Sequence, residues 1–145
     1  MADVAGTAAL LGLAAVQLHG DEEADYVRAL AKRLPPDCEI WKSIIVGKGR
    51  PGTFDAADRL LFDSGAGTGR TFDWNAVRGH GRLGESLVAG GIGAANARAA
   101  VALGAYAIDV GSALDERPGV KSPAKIAALF DALRAPSRQE LALCA

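Results

Sequence analysis

The chain has 145 residues and a net charge of −1, with half of its residues hydrophobic and 23% charged. These are the proportions of an ordinary globular domain large enough for one buried core. No long basic run is present, so nothing points to nucleic acid or an anionic membrane surface as a partner.

Short apolar runs alternate with helical patterns, which predicts an α/β fold with a parallel sheet. Val4 to Val16 reads as the end of a buried helix running into a first strand, Ala14 to Leu18. It is shorter than the roughly 20 residues a membrane span needs, and it lacks the positive flank of a signal peptide. The acidic turn Asp21-Glu22-Glu23 suits a helix N-terminus, and Tyr26, Val27, Leu30 and Leu34 form that helix's apolar stripe, stopped by Pro35-Pro36. Strands follow at Glu39 to Val46, Leu60 to Phe62, Ser86 to Ala89 and Ala105 to Val110. Between the last two lies an alanine-rich helix, Ala94 to Leu103, with Gly104 after its end. A final helix begins with Ser122 as N-cap and Pro123 at its first position, with Ile126, Leu129, Phe130 and Leu133 on one face. The expected division is a domain over 1–134 and a loosely held tail over 135–145. Trp41 and Trp74 are read as core or helix-packing residues and not as ligand contacts.

The most informative stretch runs from Leu60 to Trp74. An apolar run ends in one carboxylate, Asp63, and then enters a loop with three glycines in five residues, Gly65, Gly67 and Gly69. A buried strand thus delivers a single acid to the rim of a pocket. The plainer reading is an Asx turn, common for Asp before Gly. Other polar or glycine-rich features also fall at strand ends: His19, Gly90-Gly91 and Asp109 to Ser112. Glycines after strands expose N–H groups that can surround a phosphate, so Gly90, Gly91, Gly111 and Ser112 are candidate phosphate ligands. His19 is read as pointing to the pocket mouth, or as a hydrogen-bonded histidine holding the turn at Gly20. Asp109 is either a ligand contact or a buried carboxylate paired with backbone donors.

These motifs, with Val16-Gln17-Leu18-His19-Gly20, Ile40-Trp41-Lys42, Phe72-Asp73-Trp74, Ala89-Gly90-Gly91-Ile92 and Pro118-Gly119-Val120-Lys121, resemble the phosphoribosylanthranilate isomerase family. The resemblance covers Leu13 to Arg134, and Ile40-Trp41-Lys42 looks especially like the isomerase half of enzymes fused to indole-glycerol-phosphate synthase. It implies a TIM (β/α)8 barrel, here incomplete, with about the last five βα units. It further implies an Amadori rearrangement in tryptophan biosynthesis with neither metal nor organic cofactor. Asp63 would be the general acid that opens the ribose ring. His19 and Asp109 would contact substrate, His19 on the anthranilate side, and the last two loops would hold the phosphate. The partner implied is a small phosphosugar, in the cytoplasm. Open sheet edges would favour a homo-oligomer or association with a missing N-terminal part.

The chain departs from the family pattern in places. Gly67-Thr68-Gly69 is one glycine short, and Gly111 stands where the family often has serine. The first-strand motif bearing the cysteine base, and an arginine of the second loop, have no counterpart. Cys38 precedes a strand and should lie at the opposite face, while Cys144 sits in the tail, so neither is nominated as the base. The two cysteines fit no metal or disulfide spacing. The rival reading is a non-catalytic remnant that keeps phosphate binding or assembles with another chain.

Overall fold

The computed structural model describes residues 2–47, 49–65 and 71–134. In chain order these form α1 (Ala2–Leu11), β1 (Ala15–Leu18), α2 (Ala24–Ala31), β2 (Glu39–Ile45), β3 (Arg59–Asp63) and β4 (Leu87–Val88). Then come α3 (Ala97–Val101), β5 (Ala107–Ile108), a small pair β6 (Asp115–Arg117) and β7 (Val120–Lys121), and α4 (Pro123–Arg134). Strands β1 to β5 make one parallel sheet in which each strand lies beside its neighbour in sequence. A barrel-type winding has this order, whereas a doubly wound sheet reverses it at a switch point.

Strand alternation sorts the sheet into two faces. Val16 aligns with Ile40, and Ile44, Phe62, Val88 and Ile108 follow one another across the sheet. This face meets the helices: Val16 and Ile40 pack with Ala5, Ala8, Val27 and Leu30, while Phe62 and Val88 pack with Ala97, Ala100 and Leu129. The opposite face carries a smaller cluster of Leu61, Leu87 and Ala89 with Trp41 and Ala107 beside it. Asp63 belongs to this second face, aligned with Ile45. At the N-terminal ends of the strands, Arg59 holds the Glu39 carboxylate by two bonds of 2.8 and 3.0 Å and lies 3.8 Å over the Tyr106 ring. Trp41 donates to the same carboxylate at 2.7 Å.

The elements differ from the sequence reading in several places. Helix α1 is not wholly buried: its inner face is made of Ala5 and Ala8, and Leu10 and Leu11 are exposed. It ends at Gly12, φ +60°, with the Leu13 N–H reaching Ala8 O at 3.0 Å, a closure that favours a residue free to take positive φ. Helix α2 ends at Ala31 with Lys32 as its C-cap, ahead of Pro35. The last two strands of the sheet have two residues each, shorter than expected, since their continuations turn into the glycine-bearing loops. Between β2 and β3 the described residues form turns and no helix, in keeping with Gly47, Gly49, Pro51 and Gly52. Phe130 is exposed, with the Arg134 guanidinium 5.5 Å over its ring, while Leu129 carries the buried contact of α4. The antiparallel pair β6–β7 was not expected.

Residues 66–70 and the expected tail, 135–145 with Cys144, lie outside the described residues. No described helix is long and apolar enough to cross a membrane.

Candidate active site

Leu60, Leu61 and Phe62 of β3 are buried, and the strand's last residue emerges at the sheet's C-terminal rim. Asp63 is therefore partly covered, with its side chain 17% exposed. Its two carboxylate oxygens have different roles. Oδ1 accepts from the Gly65 N–H at 3.2 Å and faces the Ser64 hydroxyl at 3.4 Å, which is the Asx-type closure of the plainer reading. Oδ2 faces across the sheet to His19 Nε2, 3.7 Å away. The acid thus anchors its own loop with one oxygen and presents the other to the site.

His19 follows β1 directly. Its ring is 47% exposed, and Gln17 Nε2 approaches its Nδ1 at 3.3 Å. With Gln17 as donor, Nδ1 is the acceptor and Nε2 carries the proton that faces Asp63.

Asp63, Gly90, Gly91, Asp109, Gly111 and Ser112 line one cleft of about 210 Å³. The residues predicted from three separate strand ends thus meet in one place, with His19 reaching it through Asp63. Gly90 and Gly91 adopt φ of +83° and +61°, which only glycine takes at low cost. Among the described residues, the N–H groups of Gly91, Gly111 and Ser112 have no acceptor, so they are available to an anion. Asp109 is exposed at the cleft rather than buried, which removes the buried-carboxylate reading. The element after β5 is a single 3-10 turn, Ser112–Leu114, not an α-helix N-terminus. A larger, more open space of about 740 Å³ lies alongside, lined by Val46, Gly47, Arg50, Ser64, Phe72 and Asn75 among others. It meets the cleft at Ser64 but includes neither Asp63 nor Asp109.

Two supporting residues escaped the sequence reading. Asn96 accepts from the Gly93 N–H at 2.8 Å and donates to Gly91 O at 3.0 Å, stapling the glycine loop from within. This use of the side chain competes with helix formation, and α3 accordingly starts at Ala97 and not at Ala94. Ser64 sits so close to Gly90 that a Cβ there would lie 2.9 Å from the Ser64 backbone nitrogen. An Asn within a Gly-rich run before a helix was the available signal for the first. Nothing local marked the second.

Strand order, helices on one face and polar groups gathered at the C-terminal strand ends give this chain an α/β fold of the partial (β/α)8-barrel kind. Residues 1–132 match the family described as N-(5'phosphoribosyl)anthranilate (PRA) isomerase, and the chain belongs to that family. It is 45% identical over 130 residues to the tryptophan biosynthesis protein TrpCF of Yersinia pestis, covering 88% of this chain and 27% of that protein. Among solved structures it is similar to phosphoribosyl anthranilate isomerase from Thermus thermophilus, with TM-score 0.76 and 30% identity over 91% of this chain and 66% of that one. It is also similar to TrpF from Jonesia denitrificans, with TM-score 0.69 and 33% identity over 92% of this chain and 65% of that one. The chain therefore spans about a quarter of the curated relative and about two thirds of the solved neighbours.

Proposed function

We propose that this chain carries the acid and the phosphate-holding part of a phosphoribosylanthranilate isomerase site in tryptophan biosynthesis. The observation that carries the reading is the single cleft shared by Asp63, Asp109 and the two glycine-bearing loops. In this reading Asp63 gives its proton to the ribose ring oxygen as the C1′–O bond breaks, and the anthranilate nitrogen lone pair forms the Schiff base. Transfer of the C2′ proton to a general base, a role none of the residues named here fills, then gives an enolamine, and protonation at C1′ with loss of the C2′ hydroxyl proton gives the 1-deoxyribulose 5-phosphate ketone. His19 and Asp109 contact the substrate, and Gly90, Gly91, Gly111 and Ser112 hold the phosphate. Cys38 is not the base for C2′: it is buried just before β2, at the far end of that strand, and burial, with the Asp58 carboxylate, pushes its thiol pKa up. The partner is a small phosphosugar, and the work place is the cytoplasm, consistent with a free buried thiol. The outer edges of β1 and β5 would serve as surfaces for association with further strands.

The test combines binding and turnover. Ribose 5-phosphate is titrated by calorimetry into the parent, Gly91→Val and His19→Ala, and turnover of phosphoribosylanthranilate is compared for a full isomerase carrying Asp63 or Asn at this position. Gly91→Val should abolish measurable phosphosugar binding, because a β-branched residue is strained at positive φ and fills the approach to the N–H groups. His19→Ala should bind nearly as the parent does. Asp63→Asn should lose about 10²–10⁴-fold in rate, the usual share of general acid–base catalysis. Unchanged binding by Gly91→Val, or an Asn variant of full activity, would refute the assignment.

A further inference from the structure

Lys42 is out of place by pattern. It lies in β2 on the face that Ile40 and Ile44 share, aligned between Leu18 and Leu60, and its side chain is only 6% exposed. An ammonium in such a position needs a partner and full hydrogen bonding, because desolvation is otherwise unrecovered. Its Nζ reaches the Glu22 carboxylate at 2.8 Å and donates to the carbonyl oxygen of Gly20. Glu22, 24% exposed, in turn accepts from the Gly20 N–H at 3.0 Å. Burial alone would push the Glu22 carboxyl up, but the bond from Lys42, the backbone bonds and the ammonium's charge outweigh it and hold the group below the ordinary glutamate range. Both backbone polar groups of Gly20 are therefore gripped by one ion pair whose ammonium is buried.

Gly20 is the residue after His19. The imidazole is half exposed, so packing does not fix it, yet its Nε2 stands 3.7 Å from Asp63 Oδ2. Something other than core contact has to hold it there. Gln17 steadies the ring, and the Lys42–Glu22 pair steadies the peptide that carries it. An ion pair serving only to join β2 to the loop after β1 would not need to converge on both the N–H and the carbonyl of this one residue.

We propose that Lys42 and Glu22 are positioning residues that clamp the Gly20 peptide and so hold His19 over Asp63, on the anthranilate side of the cleft. The proposal rests on the reading of His19 given above. It calls for a charged pair here even though two apolar residues would be as stable, since replacing buried ion pairs with apolar side chains is often neutral or stabilising.

That last point supplies the test. The double variant Lys42→Met/Glu22→Leu removes the clamp without leaving an unpaired charge, and Glu22→Gln keeps an acceptor for the Gly20 N–H. Anthranilate and inorganic phosphate are titrated separately into each by NMR, and exchange of the Gly20 amide with solvent is followed. The double variant should keep the parent's melting temperature within a few degrees and bind phosphate within about twofold. It should bind anthranilate about tenfold more weakly, as small misplacements of a contact residue do, and exchange its Gly20 amide about tenfold faster. Glu22→Gln should restore most of the anthranilate affinity. Anthranilate binding equal to the parent's, or an equal loss of both probes, would overturn the proposal. If the double variant does not fold, Glu22→Ala takes its place; it leaves the Lys42 ammonium without its carboxylate and should melt lower than the parent, while the expected anthranilate, phosphate and Gly20-exchange outcomes are unchanged. A parent that binds phosphate but not anthranilate would sink the reading of His19. The clamp would then stand or fall on the Gly20 amide, with unchanged exchange overturning it.

Discussion

Replacing Gly90 with alanine isolates the contact on which the geometry of the cleft depends. Gly90 follows β4 and has φ +83°. A Cβ there would lie 2.4 Å from Ser64 Oγ, 2.9 Å from Ser64 Cβ and 2.9 Å from the Ser64 backbone nitrogen. The hydroxyl can rotate away, but the nitrogen moves only if the peptide after Asp63 moves with it. Two costs add. A non-glycine residue at left-handed φ costs about 1–2 kcal/mol, and forcing extra volume into a packed contact costs about 1–3 kcal/mol. Together they give about 2–5 kcal/mol, or roughly 6–15 °C in melting temperature at about 3 °C per kcal/mol for a chain of this size. Two other glycines separate the contributions. Gly104 has φ +80° with nothing within 4 Å of its added Cβ, so Gly104→Ala should show the backbone cost alone. Gly81 has neither positive φ nor a neighbour within 4 Å, so Gly81→Ala should stay within about 0.5 kcal/mol of the parent. Urea unfolding followed by circular dichroism gives all three values. If Gly90→Ala costs no more than Gly104→Ala, the loops after β3 and β4 do not touch as described, and the shared cleft loses its support.

Two further outcomes concern the frame beneath the site. Arg82 donates to the carbonyls of Phe54, Ala57 and Asp58 at 2.8, 3.1 and 2.7 Å, tying down the chain that enters β3. Arg82→Met should cost about 2–3 kcal/mol in urea unfolding, because these acceptors lose a charged donor; a cost under about 0.5 kcal/mol would show that water replaces it freely. The Glu39 carboxyl is held below the ordinary glutamate range first by the bonds from Arg59 and then by that from Trp41. A depressed carboxyl contributes stability above its unfolded value, about 4.3, and loses that contribution as pH falls through its lower folded value. Glu39→Gln should therefore flatten the stability–pH curve below about pH 4.3 while lowering stability at neutral pH. An acid limb as steep as the parent's would assign the acid sensitivity elsewhere.

Much of the fold was legible because its signals are local. The short apolar segment read as a strand over Glu39 to Val46, the apolar run before Asp63 and the proline opening α4 each lie within a few residues, and the structure contains all three elements. Asp63 could be singled out by its place between an apolar run and a glycine loop, but that spacing equally fits an Asx turn, and its role as the acid came from the family resemblance. What local signals could not supply was length and partnership. Strands β4 and β5 stop after two residues because Gly90 and Asp109 turn away into the cleft, and nothing in the apolar runs before them marks that turn. Asn96 looks like a helix residue until its side chain is seen spent on Gly91 and Gly93. Lys42 entered the sequence reading only as part of the Ile40-Trp41-Lys42 motif, because its partner Glu22 is 20 residues away and is fixed only by the parallel register of β1 on β2. The same holds for the site: His19 and Asp63 come within 3.7 Å only because two intervening pairings, β1 to β2 and β2 to β3, carry both C-terminal ends to one rim. Sequence patterns thus identify which residue each strand presents. The sheet's register decides which of them meet, and the Gly90–Ser64 contact and the Gly20 clamp are the points where that register is turned into a site.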